Sequence, residues 1–542
     1  MMTRTSFRPV AAVGLAAAIL VYVGCSRTHE TTAGPTHVAV ATAAAGPGQP
    51  AGPPAGPAKA KDKAKANDPL ARFADWSAKP PAGVILISGE QDGYLQPCGC
   101  TDGQLGGLGR RYDFVEKLRA RGWPVAPIDL GNLIHDPAGS RGGPAQSNIK
   151  FNIALQALAA MKYEAVALGP EDLKLGVAEI LGALLNVKSP AILATNVRPD
   201  DAFAGAIRPT ATFRAGPVTV GVAAVLDPAA FEALADPDKA ALLKIEAPDV
   251  AIPRALAGFA KGVQVRVLMV QGSGEEGKRL AEKFPAFDLV VTTSKFDDPD
   301  ERPESLNGGK TLMINVGKKG KYAGVVGLFP GSTPSVRYKR QPLSSPEFRE
   351  ADPIRRLIDF DYQAVLKQAG VVENITRHTN VDGAPGATYV GAESCQGCHP
   401  KTFEKWASTK HARAYEVLAN PKRNREYDAE CISCHTTGFT YTSGWVSAER
   451  TPYLKGNQCE NCHGPSSLHN AEPDNLAYRK PMALTAESAN KTGLCTNCHN
   501  EDNDPKFIFD ARYAQIFHKG LDTYDDPKVH RPRPAKVARG GK

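Results

Sequence analysis

At 542 residues the chain is too long for one hydrophobic core, so two or three domains are expected. Charged residues make up 23 % and hydrophobic ones 42 %, the balance of an ordinary soluble globular protein rather than a disordered or fibrous one. The net charge of +8 is mild and its Lys and Arg are dispersed, with no basic stripe interleaved with aromatics, which argues against nucleic acid as a partner.

Residues 1–25 read as a targeting segment. Arg4 and Arg8 precede an apolar run from Val10 to Val23, followed by Gly24, Cys25 and Ser26. The run is short for a membrane span, which takes about 20 residues. Cys25 after Gly24 resembles a bacterial lipoprotein signal, which implies lipidation of Cys25 and attachment to a membrane. Tyr22 stands where such signals usually carry Leu, so a plain signal peptide or an uncleaved anchor remains the alternative. Residues 26–80 turn to Ala, Gly, Pro and Lys. Within them Ala45–Ala66 has no large apolar side chain and reads as a disordered tether.

From 81 to 346 apolar runs alternate with amphipathic ones. Strands are expected at Val84–Ser88, Val125–Leu130, Ala165–Leu168, Ala191–Thr195, Val218–Val225, Val265–Val270, Leu289–Thr292, Thr311–Val316 and Gly324–Phe329. Helices are expected at Arg110–Arg121, Ser147–Met161, Gly176–Leu185 and Glu275–Lys283. This alternation predicts an α/β domain around a buried sheet. Residues 347–388 form a connector with a helix over Asp352–Gly370, Pro353 in its first turn and Gly370 ending it. Residues 389–525 make a third region, and 526–542 a basic, Pro-rich tail expected to be disordered.

The third region carries four Cys-x-x-Cys-His motifs: Cys395-Cys398-His399, Cys431-Cys434-His435, Cys459-Cys462-His463 and Cys495-Cys498-His499. Two thiols at this spacing add to the two vinyl groups of one haem, and the adjacent His reaches its iron. Zinc takes the same residue types but does not require a His directly after the second Cys four times over. Four covalently bound c-type haems follow, with His399, His435, His463 and His499 as proximal ligands. The first Cys of successive motifs are 36, 28 and 36 residues apart, so there is little protein per haem. A mostly helical and irregular fold wrapped on porphyrins is expected, and crowded haems suit electron conduction. Such attachment takes place on the far side of a membrane, so export to a periplasm or an outer membrane face is expected.

Distal ligands are expected from the other His of the region, His411, His469 and His518, with His378 and His530 as flanking candidates and Met482 as a weaker one. Three distal His for four haems leave one iron five-coordinate and open to a small ligand such as a nitrogen oxide. The stretches GAESCQGCHP at Gly391–Pro400, Phe403–Trp406, Thr409–Ala412, CISCHTTGF, CENCHGPSSLH, CTNCHN and FDARYAQIFH at Phe509–His518 together resemble tetrahaem cytochrome c554-type modules. The resemblance implies three bis-His haems and one five-coordinate haem, with His411, His469 and His518 as distal ligands. It also implies electron transfer with redox partner proteins, often in nitrogen-compound metabolism.

Eight of the 11 Cys are used by the motifs, which sets apart Cys25 and the pair Cys98 and Cys100. That pair lies in Gly93–Arg111, after the first expected strand, where α/β domains place their sites. Cys98-Gly99-Cys100 suits a strained, oxidising disulfide or a soft metal; two buried thiols are the plainer alternative. Gly106 and Gly107 lead into a helix, where backbone N–H groups with Arg110 or Arg111 would receive an anion, or would only form a turn. Order and spacing of these elements resemble the calcineurin-like metallophosphoesterases of the 5′-nucleotidase branch, which implies a layered α/β sandwich. The metal-binding motifs depart throughout. Glu90-Gln91-Asp92 replaces the opening Asp-x-His, and Asn132 stands for the bridging Asp. Gly169-Pro170-Glu171-Asp172 replaces Gly-Asn-His-Glu, Val270-Gln271-Gly272 falls where a metal His is expected, and Thr293-Ser294-Lys295-Phe296 replaces Gly-His-x-His. Phosphoesterase activity is therefore not expected, although Asp129, His135, Glu171 and Asp172 are a candidate set for a rebuilt metal site. The leading expectation is an exported, tethered electron-transfer protein. An oxidoreductase for a small nitrogen or sulfur compound, at an open haem or at the Cys pair, is the second, and a partner-docking redox scaffold the third.

Overall fold

The computed structural model describes residues 68–97, 103–186, 188–199, 205–229, 243–381, 384–421 and 424–522. Cys25, Cys98, Cys100, His530, the targeting segment, most of the linker and the basic tail lie outside the described residues. The chain divides into Met1–Lys59 and Ala60–Lys542, and all that follows concerns the second unit.

Two mixed sheets stack face to face. The strands are β1 (Gly83–Ser88), β2 (Val125–Asp129), β3 (Ala165–Ala167), β4 (Ala191–Leu193), β5 (Val197–Pro199), β6 (Ile207–Arg208), β7 (Thr210–Ala215), β8 (Val218–Leu226), β9 (Leu243–Ile245), β10 (Val265–Gln271), β11 (Leu289–Thr292), β12 (Glu304–Leu306), β13 (Thr311–Asn315), β14 (Tyr322–Leu328) and β15 (Val336–Pro342). The first sheet runs β15-β14-β1-β2-β3-β4-β6, the second β12-β13-β11-β10-β8-β7, and β5 pairs with β9 apart from both. The β1–β2–β3–β4 pairings are parallel, while β14 closes on β1 antiparallel, with Leu86 opposite Val325.

The alternation within strands explains the layering. Ile85 and Ile87 of β1 pack between the sheets with Val222, Val267 and Met269, whereas Val84 and Leu86 face the outer helices. Along β10, Leu268 and Val270 turn outward in the same way. A strand covered on both faces must be apolar at every position, and β1 is buried along its whole length. At Gly83 the sheets approach so closely that a Cβ would lie 2.2 Å from the Ala215 carbonyl oxygen. Helices α1 (Leu108–Ala120), α2 (Gly143–Ala160) and α3 (Val177–Asn186) cover the first sheet, and α4 (Pro248–Gly258) and α5 (Gly274–Lys283) the second. The result is a layered α/β sandwich, two sheets where the alternation alone predicts one buried sheet.

Packed structure is already present before Pro81. Residues 71–78 form two short helical turns that bury Phe73 and Trp76, whose ring centroids are 5.4 Å apart. The connector helix is present in three consecutive pieces, α6 (Asp352–Arg356), a wider π-helical turn (Leu357–Tyr362) and α7 (Gln363–Ala369), ended by Gly370 at φ 59°. Ile354, Ile358, Tyr362 and Leu366 all reach the core. The wider turn lets a spacing of four stay on one face, where an ideal α-helix would drift. The connector thus belongs to the α/β packing.

Beyond Tyr389 the helices are short: α8 (Pro400–Ala407), α9 (Ala429–His435), α10 (Cys459–His463), α11 (Ser467–Ala471) and α12 (Phe509–Ile516) among them. Few large side chains are buried here, chiefly Tyr389, Tyr415, Phe439 and Trp445. No helix of the described residues is long and apolar enough to cross a membrane.

Candidate functional site

Each motif is one helical turn. Asp428 caps α9 by accepting the Glu430 N–H at 3.0 Å, and the turn presents Cys431, Cys434 and His435. Positions i, i+3 and i+4 share a helix face, which is the placement that two thioethers and an axial imidazole need. Motif 3 lies on α10. In motifs 1 and 4 the same turn is closed by His399 N–H to Cys395 O and His499 N–H to Cys495 O, both 2.9 Å. None of the eight motif Cys is in a disulfide, and all are half-buried.

Imidazoles from distant parts of the chain face two motif His. His411 lies opposite His499 with ring centroids 6.0 Å apart, and His518 lies opposite His463 at 5.7 Å. Two metal–imidazole bonds of about 2 Å each, with the ring radii added, put opposed ring centres at about 6 Å. These residues therefore fit a six-coordinate iron between each pair. Burial holds the pKa of His411 and His463 below the usual imidazole range, with neighbouring His rings adding to it, so both favour the neutral, ligating form. Among the described residues the His435 ring packs on no other imidazole, although His411 lies within its field. His378 contacts the ring of Tyr441 instead of a motif His.

Nδ1 of the motif His is occupied in a way that leaves Nε2 for metal. It meets Ala414 O at 2.6 Å in His435, Met482 O at 2.8 Å in His463 and the Asp504 carboxylate at 3.0 Å in His499. Met482 contributes its backbone there. The motifs also pair: the Cys395 and Cys459 thiols lie close enough to shift each other's ionisation, and so do those of Cys434 and Cys498. Motif 1 thus sits beside motif 3, and motif 2 beside motif 4. Two buried residues that sequence reasoning missed hold the first couple. Glu460 accepts the Val390, Gly391 and Ser466 N–H groups, and Gln458 accepts Ala392 N–H at 2.6 Å. Their signal is a polar residue inside or just before a motif with no role in haem attachment.

The second couple faces the α/β layers. Lys150 of α2 pairs with Glu430 at 2.5 Å, and Gln146 of α2 donates to Asp428 at 2.7 Å. Arg425 pairs with Asp359 at 2.5 Å and also donates to Gln96. After motif 4, Asp502 accepts from Lys319 at 2.9 Å, Lys321 at 3.3 Å and the Tyr94 hydroxyl at 2.8 Å. Arg141, just before α2, donates to Ser433 Oγ, to Cys434 Sγ at 3.3 Å and to Asn497 O at 3.3 Å.

Within the α/β layers the positions of the expected metal ligands form a network of amides and acids. Asn132 Nδ2 donates to Glu90 Oε1 at 3.0 Å, and Gln271 Nε2 donates to the same oxygen at 3.3 Å. Burial, reinforced by the charge of Asp92, raises the Glu90 pKa to about 8, so it is protonated at neutral pH. Asp172 accepts the Asn132, Leu133, Ile134 and Gly169 N–H groups, yet burial outweighs them and raises its pKa to about 7. The candidate set of Asp129, His135, Glu171 and Asp172 does not converge. Asp129 is engaged by Ser88 at 2.5 Å and by Gly131 N–H, while exposed His135 only approaches Glu171 at 3.7 Å. Among the described residues no group of three His, Cys, Asp or Glu is placed to hold a metal ion directly. The site does not fit a two-metal centre.

The anion site is not assembled either. Gly106 N–H is bonded to Leu343 O, and Arg110 pairs with Glu350 at 3.0 Å. Arg111 points into the core, 0 % exposed, and donates to Gln91 at 2.5 Å. A glycine turn remains: positive φ at Gly106 and Gly107 lets the chain pass beside Gly320 and Pro97. The described residues flanking Cys98 and Cys100 lie against motif 4, since Gln104 donates to Asp502 O and Asn503 O at 2.8 and 3.3 Å.

Residues 394–464 match the family described as "Cytochrome c554 and c-prime". The C-terminal region is similar to cytochrome c554-type proteins over that stretch. It is 32 % identical over 146 residues to "Cytochrome c-554" of Nitrosomonas europaea, covering 22 % of this chain and 62 % of that protein. It is 33 % identical over 81 residues to "Multiheme cytochrome MtrA" of Shewanella baltica, covering 13 % of this chain and 23 % of that one. The chain thus spans less than two thirds of either relative. The α/β layers are similar to a 5′-nucleotidase precursor of Thermus thermophilus (TM-score 0.45, 14 % identity, 60 % of this chain and 67 % of that one). They are also similar to the calcineurin-like phosphoesterase YfkN of Bacillus subtilis (TM-score 0.41, 17 % identity, 53 % and 98 %). At those scores the sheet topology, and not the likeness, carries the fold. Covalently bound haem c is common ground between the cytochrome c554-type match and the Cys-x-x-Cys-His turns.

Proposed function

We propose that the cytochrome c554-type module binds four haems and passes electrons among them, while the α/β layers hold it without hydrolysing phosphoesters. The observation that carries this reading is the facing of His411 with His499 and of His518 with His463. A covalently held haem supplies one-electron redox chemistry, and the chain supplies the axial imidazoles, their orientation and the spacing. His469 is assigned to the haem of His399. Its helix, α11, is tied to the residues leading into motif 1, through Ser467 N–H to Thr388 O at 3.1 Å and Thr388 N–H to Ser467 Oγ at 2.8 Å. The haem of His435 is then five-coordinate. Export, with lipid on Cys25, places the module where redox partner proteins reach it; the N-terminal charges and apolar run support this.

A pyridine haemochrome assay with EPR of the oxidised protein tests the reading. Four haems per chain are expected, three low-spin and one high-spin. Fewer haems would refute the count, and a wholly low-spin spectrum would refute the open iron.

A second reading is favoured by His435 alone: an oxidoreductase acting on a small nitrogen or sulfur compound at that iron. Spectral shifts of the high-spin component on adding nitrite or hydroxylamine distinguish it from conduction only. The pair Cys98 and Cys100 is assigned a redox or ligand role on its spacing. Replacing both by Ser is expected to slow haem reduction by a thiol or sulfur donor, and unchanged kinetics with every donor would count against it.

A further inference from the structure

Arg141 is the one α/β cation that reaches haem-attaching Cys residues among the described residues, and its loop is held in place. Ser140 N–H bonds Asp136 O at 3.0 Å, Ser140 Oγ donates to Gly143 O at 3.0 Å, and Ser147 Oγ donates to Ser140 Oγ at 3.1 Å. The guanidinium lies between motif 2 and motif 4, on Ser433, Cys434 Sγ and the Asn497 carbonyl. Cys498 and Glu430 are the other groups whose field it feels. Glu430 is already paired with Lys150 at 2.5 Å. Arg141 itself makes no ion pair among the described residues; it lies beside Cys434 and within the field of Glu430.

We infer that Arg141 is the residue through which the α/β layers raise the reduction potentials of the haems on motifs 2 and 4. The inference rests on the four-haem reading above. On reduction each haem iron takes one electron from an external donor and loses one unit of positive charge, with no proton needed. A fixed cation beside the two attachment sites opposes the extra positive charge of the oxidised state and so favours the reduced one, an effect that water screens in part because Arg141 is solvent-exposed. The thioether sulfurs that haem attachment makes of Cys434 and Cys498 cannot neutralise it, because they carry no charge. Electrons are therefore drawn toward the couple that faces the α/β layers and away from motifs 1 and 3. Arg141 acts here as a positioning charge and touches no substrate.

The test is spectroelectrochemical titration of the full, haem-loaded chain, wild type against Arg141→Gln and Arg141→Lys. In Arg141→Gln the high-spin signal and one low-spin signal are expected to titrate at lower potential. At a fixed potential their reduced-to-oxidised ratio falls about tenfold, or about 59 mV for one electron. The other two low-spin signals stay, and Arg141→Lys keeps most of the wild-type values. Should Arg141→Gln not load four haems, Arg141→Met against Arg141→Lys carries the same comparison. Four loaded haems with all midpoints unchanged, or all moved together, would overturn the inference. A wild-type chain with fewer than four haems overturns the reading beneath it instead, and the haem count separates the two.

Discussion

Glu90 ties proton binding to folding. The carboxyl is buried, accepts two amide donors, and has a pKa near 8 where a model Glu has 4.5. Between those values the folded state holds a proton that the unfolded chain has lost. Stability therefore falls as pH rises through that window and levels off above it. Each pH unit inside it costs about 1.4 kcal/mol per group, so about 2 kcal/mol is lost between pH 6 and 8. Glu90→Gln keeps the shape and removes the proton, so urea unfolding should show a flatter pH profile and a gain at pH 8. A variant as pH-dependent as wild type would refute a protonated Glu90. At the haem end, His411→Ala should add a second high-spin signal, because the imidazole facing His499 is gone. Added imidazole should reverse it.

Among the elements, legibility followed periodicity. The largely buried strands β1, β8, β10 and β14 read as mainly apolar runs and stand where the sequence puts them. Strand β15 (VRYKRQP) was not legible, since an edge strand that is mostly half-exposed has no apolar run to show. Helix α4 was hidden by Pro248 and Pro253, residues that read as breakers, although the first merely opens the helix. The Cys-x-x-Cys-His turns were legible because attachment chemistry fixes their spacing. The facing of His411 with His499 was not, because it joins segments 88 residues apart, and no local pattern encodes it. Nor was the burial of Arg111, which the sequence left beside a glycine turn. The loop after motif 4 offers a test at this scale. Asp502→Ala leaves Lys319 and Lys321 to Asp297 alone. These groups are only partly exposed, so about 1 kcal/mol should be lost, more than for a surface pair. Faster proteolysis between residues 497 and 507 would report it.

For the whole molecule, the two regions differ in what holds them. The α/β layers have two sheets' worth of buried Val, Ile and Leu, while the region from Tyr389 onward buries few large side chains. A chain made without haem should yield a protease-resistant fragment near residues 68–381 and lose the rest. Equal resistance throughout would contradict this division. The buried face of α2 then has a meaning in time. Lys150 and Gln146 are polar, almost wholly enclosed, and satisfied largely by Glu430 and Asp428, residues made some 280 positions later. During synthesis that face is finished first and stays hydrated until the second motif arrives. It is a berth made before its cargo, because chain order puts Lys150 and Gln146 ahead of Asp428 and Glu430.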